Sequence, residues 1–342
     1  MMGSLKINNY YMDQPGDSPW VRMKNRLTRR PIPSFPRTIQ IQTFTGCNAD
    51  CIFCPYGETY ETQPKGKMSP ELFRRIIDEA AEHGVRRISP YLMNEPLMDR
   101  HLFDKIRYIN GKIPDCKVVV TSNGHFLTTP VVDRILDMGD GIHELYVSFQ
   151  GFDKESYEKT MRGTMNFERT LANVDHFLET QRRRNLERPK LWITMVDTAV
   201  IDARKAVAYW RSRGVASKYT TLENRGGNIK DAETFSRTRA MSYYTTCTRL
   251  FKQAYILFNG DLVLCCVDYS REQVLGNIAN SSIHDVWNGP VARETRRLYL
   301  GHEFDRLPLC GNCKIDEVRE VAIDVDGTET IGESEVAEEA TG

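Results

Sequence analysis

The sequence has no surplus of either charge: 46 Lys and Arg stand against 46 Asp and Glu in 342 residues. A chain that grips nucleic acid through its phosphates carries a basic excess, so no nucleic-acid partner is expected. It also has no apolar run approaching the roughly 20 residues that span a bilayer, and a membrane partner is not expected either. The N-terminal MMGSLKINNYYMDQPGD lacks the apolar core and basic start of a secretory signal. These absences point to a cytoplasmic protein.

Cysteine is abundant instead, with nine residues. Disulfides are disfavoured in a reducing compartment, where clustered thiols more often bind metal or do redox chemistry. Cys47, Cys51 and Cys54 form one group, and Cys247, Cys265, Cys266, Cys310 and Cys313 form another, with Cys116 alone between them. Two groups imply two sites.

Residues 1–36 are polar and broken by Pro31, Pro33 and Pro36, and read as an N-terminal arm. A strand and helix alternation follows. RTIQIQTFT, VRRISPYL, CKVVVTSN, HELYVSFQ, KLWITMVD and ASKYTTLE read as strands. Between them lie amphipathic stretches such as MSPELFRRIIDEAAEHG, where Ser69 caps the helix and Gly84 ends it. Six strands with helical crossovers predict an α/β fold, a partial (β/α)6 TIM-like barrel over 37–235. Residues 236–318 change character, with short strands (AYILF, DLVLCCV), a turn at Asn259-Gly260 and the later cysteines, and predict a small second domain. Residues 319–342 are acidic and without aromatics, and read as a disordered tail.

The first cysteine group, C-x3-C-x2-C, does not suit a structural zinc, which takes four ligands in two pairs. A thioredoxin-like pair would leave Cys47 idle. An iron–sulfur cluster held by three thiolates leaves one iron open to another molecule. The loop also follows the first strand, at the end of a β/α barrel where active sites lie.

CNADCIFC resembles the C-x3-C-x-Φ-C motif of the radical S-adenosylmethionine (SAM) superfamily, with Phe53 at the aromatic position. The resemblance implies a 4Fe-4S cluster on Cys47, Cys51 and Cys54 whose open iron chelates SAM. Reductive cleavage then yields a 5′-deoxyadenosyl radical that abstracts a hydrogen atom, the cofactor carrying the chemistry. It further implies SAM contacts. Met93-Asn94-Glu95-Pro96 matches the family's G-G-E-P stretch with both glycines replaced, which makes Asn94 and Glu95 candidates. Ser148 matches the ribose contact, Arg162 the carboxylate partner, and Asn123 is a further candidate.

The second group is similar to the short SPASM/Twitch extension, which implies a small C-terminal α+β iron–sulfur auxiliary domain. Gly260 ahead of Cys265 selects Cys265 over Cys266, so Cys247, Cys265, Cys310 and Cys313 would hold a second, closed 4Fe-4S cluster. Zinc remains the alternative for four thiolates. Cys116 reads as a buried apolar residue. Cys266 reads either as such a residue or, by analogy with radical SAM epimerases, as a hydrogen-atom donor.

A closed auxiliary cluster passes electrons and does not bind substrate. It favours an oxidoreductase that dehydrogenates a small hydroxylated metabolite, sugar or aminocyclitol in type. A Cys266-dependent epimerase and a peptide-modifying enzyme are the alternatives, though only 46 residues precede Cys47 to grip a leader peptide. An electron donor such as flavodoxin or ferredoxin is implied. Asp197, Glu223, Arg225 and Asp268 are candidates for the barrel mouth.

Overall fold

The computed structural model describes residues 10–12, 18–28, 30–237, 241–243, 247–316, 320–323 and 329–332. Six strands appear where the β-branched runs place them: β1 (Thr38–Ile41), β2 (Arg87–Ser89), β3 (Lys117–Ser122), β4 (Glu144–Ser148), β5 (Lys190–Asp197) and β6 (Ala216–Thr221). Each pairs in parallel with the next. The crossovers are α1 (Pro70–Glu82), α2 (Leu102–Lys112), α3 (Thr129–Asp137), α4 (Phe167–Arg183) and α5 (Ala203–Ser212). The Ser69 side chain caps α1 by accepting from Leu72 N at 3.1 Å, and Gly84 past its end takes φ +64°.

Strand alternation sorts the side chains. Ile39, Ile41, Val118, Val120, Leu145 and Ile193 turn outward and join helix residues such as Ile76, Ile106, Phe177 and Trp210 in one continuous core. Cys116 is buried in this core, as expected of an apolar filler.

The barrel sheet continues where the sequence pattern placed a separate domain. Strand β7 (Gln253–Ile256) lies parallel to β1, and β8 (Asp261–Val263) and β9 (Val274–Asn277) follow antiparallel. A seventh parallel strand therefore extends the expected six. The reason is that Ala254 and Ile256 are as apolar as Ile39 and Ile41 and share their core, so β7 covers the edge that β1 would otherwise expose. The tail reading is corrected in part. β10 (Glu320–Ile323) pairs antiparallel with β6, and β11 (Glu329–Gly332) pairs with β10. Backbone pairing to an open sheet edge outweighs the acidic composition there. The rest of that tail lies outside the described residues. Among the described residues the sheet runs β9-β8-β7-β1-β2-β3-β4-β5-β6-β10-β11 and does not close.

Two helices that the sequence reading missed complete the C-terminal part: α6 (Ile283–Trp287) and α7 (Pro290–Leu300). Side chains of α1 fasten this part to the barrel. The Arg75 guanidinium donates to the carbonyls of Ile278, Ala279 and Ser281 at 2.9–3.1 Å. The Glu79 carboxylate accepts from Ile283 N and His284 N, both at 2.8 Å, satisfying free N–H groups at the start of α6. The N-terminal arm carries a helix (Pro19–Thr28), and its Tyr10 ring stacks on Phe251 with centroids 5.0 Å apart. Among the described residues no helix is long and apolar enough to cross a membrane.

Candidate active site

Three thiols lie on the loop that leaves the C-terminal end of β1. Residues Ala49–Cys51 form a short strand paired antiparallel with Met161–Gly163, which sets Asp50 opposite Arg162 and Cys51 opposite Met161. The pairing demands a glycine. Gly163 has φ +83°, and a Cβ there would stand 2.7 Å from Asn48 O. Cys51 Sγ lies 3.5 Å from Met161 Sδ. Burial pushes the Cys47 thiol up to about 12 and that of Cys51 well above the ordinary range. Thiols in such surroundings ionise only when a nearby positive charge compensates. The donor set therefore fits a metal cluster that supplies that charge.

The loop after β2 closes beside this one. Met93 adopts φ +54°, the left-handed region that glycine occupies without cost, so the backbone keeps the shape of a glycine there. Asn94 Oδ1 accepts from Leu92 N at 2.9 Å, while its buried Nδ2 has no hydrogen-bond partner. A buried donor left open calls for an acceptor from a bound molecule, which fits a SAM carrying a carboxylate and hydroxyls. Glu95 N donates to Gly46 O at 2.8 Å, tying this loop to the cysteine loop. Its carboxylate is buried and accepts from Ser122 Oγ (2.7 Å), Asn123 N (2.7 Å) and Leu97 N (3.0 Å). Glu95 is thus a clamp among β1, β2 and β3 as well as a candidate SAM contact. Burial raises it to about 7, against the pull of those hydrogen bonds.

The other candidates fall into two groups. Ser148 ends β4 at the same rim, half-buried. Asn123 Nδ2 donates to Asn48 Oδ1 at 2.7 Å, so it braces the cysteine loop. Arg162 is 55% exposed and leans on Asp50, with Nε donating to Asp50 O at 3.2 Å. Phe53 stands at the motif's aromatic position on the cysteine loop. It is only 6% exposed and packs with Ile201, Leu222, Ile229 and Ala232, pinning the loop to the connector after β6. The residues after β6 are therefore packed, because their apolar side chains have Phe53 to cover.

Four thiols of the second group face one cavity. Cys247, Cys265, Cys310 and Cys313 line it, together with Arg249, Tyr299 and apolar side chains. Cys266 does not line it, which supports Cys265 as the fourth ligand. Among the described residues no three His, Cys, Asp or Glu converge tightly enough for a single metal ion, whereas a cluster is held by thiols spread around a void. Burial pushes Cys247 up to about 11 and Cys310 up to about 12. Cys266 instead packs against the apolar cluster of Leu92, Tyr255, Leu257 and Val263, as Met93 does.

The two sites share one turn. Cys265 lines the cavity, and four residues later Tyr269 brings its hydroxyl 3.6 Å from Cys54 Sγ. Four residues reach at most about 14 Å along the backbone. Asp268 fixes this turn: fully buried, it accepts from Glu272 N at 2.9 Å and Gln273 N at 3.0 Å. Asp197 is likewise structural, bonded to Arg237 Nε at 2.8 Å. Glu223 and Arg225 remain near the gap between the sites, 4.0 Å apart. Burial raises the Glu223 carboxyl, but Arg249 and Arg225 outweigh it and hold the group low. Tyr269 and Arg249 were missed in the sequence, where only their closeness to cysteines marks them.

Residues 41–196 match the Radical SAM superfamily, and residues 247–314 match the SPASM iron-sulfur cluster-binding domain. The chain is 21% identical over 276 residues to the S-adenosyl-L-methionine-dependent 2-deoxy-scyllo-inosamine dehydrogenase of Niallia circulans, covering 80% of this chain and 91% of that one. The crystal structure of BtrN in complex with AdoMet and 2-DOIA superposes with a TM-score of 0.57 at 18% identity, over 81% of this chain and 92% of that chain. Streptococcus suis SuiB bound to precursor peptide SuiA gives 0.61 at 16% identity, over 86% and 75%. At these identities the structural likenesses establish the fold.

Proposed function

Because the chain belongs to the radical SAM superfamily and carries a SPASM domain, we propose that it dehydrogenates a small hydroxylated metabolite of sugar or aminocyclitol type. An alcohol carbon becomes a carbonyl. Bound SAM and the clusters supply the radical that takes the carbon-bound hydrogen and the sink for the remaining electron. Cys47, Cys51 and Cys54 hold the SAM-binding cluster, with Asn94, Glu95, Asn123, Ser148 and Arg162 around SAM. Cys247, Cys265, Cys310 and Cys313 hold the auxiliary one. Arg225, 33% exposed, is the candidate donor to the substrate's hydroxyl.

The observation that carries this reading is the set of four thiols lining one cavity, joined to Cys54 through the Cys265–Tyr269 turn. A cluster held by four thiols has no vacant position for substrate, and its closeness suits electron transfer. The likeness to an aminocyclitol dehydrogenase over most of both chains supports the substrate class. The electron donor is of flavodoxin or ferredoxin type. One observation favours a second reading, an epimerase with Cys266 as hydrogen-atom donor: Cys266 and Met93, the latter on the loop that would meet SAM, pack against the same apolar cluster.

The test is anaerobic turnover of the reconstituted chain with dithionite, SAM and aminocyclitols deuterated at each alcohol carbon. The expected result is 5′-deoxyadenosine carrying deuterium and an equal amount of ketone. An inverted alcohol in place of the ketone selects the second reading. Absence of 5′-deoxyadenosine with both clusters in place rejects the two together.

A further inference from the structure

Apart from the thiols, Arg249 is the one charged side chain among the described residues lining the second cavity. The remaining wall is leucine, valine and Tyr299. Glu223 holds the guanidinium in a fork: Nη1 donates to Oε1 at 3.0 Å and Nη2 to Oε2 at 3.2 Å. A planar fork of this kind fixes orientation as well as distance. Glu223 is 8% exposed, and its Oε1 also accepts from the Cys313 thiol at 3.7 Å. Arg225 approaches Oε2 at 4.0 Å. Two guanidiniums thus share one carboxylate, which leaves a net positive charge against an apolar cavity.

Burying such a group contributes little to stability, since desolvation offsets most of the attraction. Its effect on a negatively charged neighbour is large, because an apolar wall screens poorly. The potential of an iron–sulfur cluster follows its net charge, the hydrogen bonds to its sulfurs and its exposure. Adding an electron to a cluster in this cavity increases its negative charge, and Arg249 is the cation placed to offset that.

We propose that Arg249, oriented by Glu223, is the positioning residue that raises the reduction potential of the auxiliary cluster and makes it the electron acceptor. This rests on the reading that the cavity holds an iron–sulfur cluster. The electron concerned is the one released when a hydroxyl-bearing carbon radical loses its hydroxyl proton to a base and becomes a carbonyl. The substrate radical is oxidised by one electron and the cluster is reduced by one.

The test uses the full chain carrying Cys47→Ala, Cys51→Ala and Cys54→Ala, so that only the second site holds iron. Its midpoint is read by spectroscopic redox titration. Arg249→Gln is expected to disfavour the reduced cluster at least tenfold, about 59 mV for one electron, and Arg249→Lys to restore most of that. Glu223→Gln should shift the midpoint upward. Four irons with an unchanged midpoint in Arg249→Gln overturn the inference while leaving the cluster reading intact. If Arg249→Gln loses its iron, Glu223→Gln decides, an upward shift supporting the inference and no shift overturning it. A parent variant that takes zinc or no iron overturns the cluster reading, and the inference with it.

Discussion

The Tyr269 hydroxyl stands 3.6 Å from the Cys54 thiol, so the C-terminal part touches the first cysteine loop. A hydrogen bond to a cluster sulfur favours the reduced form. Tyr269→Phe should lower the potential of the first cluster by the worth of one hydrogen bond, about 0.5–1.5 kcal/mol. Redox titration before addition of SAM reads this, and an unchanged midpoint would show that the contact does nothing electronic.

The iron count separates neighbouring cysteines. Reconstituted chain should hold about eight irons, two 4Fe-4S clusters. Cys265→Ala should fall to about four, while Cys266→Ala should keep all eight, because Cys265 lines the cavity and Cys266 does not. Turnover of Cys266→Ala then divides the two functional readings. A dehydrogenase keeps its activity, whereas an epimerase loses it and still cleaves SAM.

Gly163 holds the cysteine loop through its backbone alone. Ala there would force a side chain into a left-handed conformation with Asn48 O at 2.7 Å. Gly163→Ala should cost about 2 kcal/mol or more and should loosen the first cluster ahead of the second. Iron and sulfide analysis after a mild chelator challenge, compared with the wild-type chain, checks it.

Glu95 gives a pH dependence with a definite sign. In the folded chain it keeps its proton to about 7, against 4.5 ordinarily. Between those values the folded chain binds more protons than the unfolded chain, so its contribution is full below 4.5 and is lost as pH rises through 7. Glu95→Gln should remove that slope. It should also destabilise at low pH by about 1–3 kcal/mol, because Asn123 N loses its acceptor. Urea unfolding from pH 4.5 to 8 reads both effects.

Much of this fold was legible in the sequence because strand and helix periods alternate cleanly from Thr38 to Thr221. Ser69 and Gly84 marked the limits of α1 through local chemistry alone. The chain's own thiol spacing separated two sites, and Gly260 pointed to Cys265. What periodicity does not carry is partnership over long distances. Nothing in AYILF says that it pairs with β1 and not within its own domain. Phe53 reads as a motif aromatic, yet its burial depends on Ile201, Leu222 and Ile229, far along the chain. Tyr269 and Arg249 gained their roles from the folded geometry, since a Tyr or Arg near a Cys is ordinary in sequence.

The pairing of β7 with β1 has a consequence for how the protein is made. The first strand of the barrel emerges from the ribosome roughly two hundred residues before its neighbour. At about 5–20 residues per second, that is on the order of ten to forty seconds. Throughout that interval the nascent chain carries a bare hydrogen-bonding edge beside the loop of Cys47, Cys51 and Cys54, which a chaperone or another nascent chain can reach before the enzyme is whole.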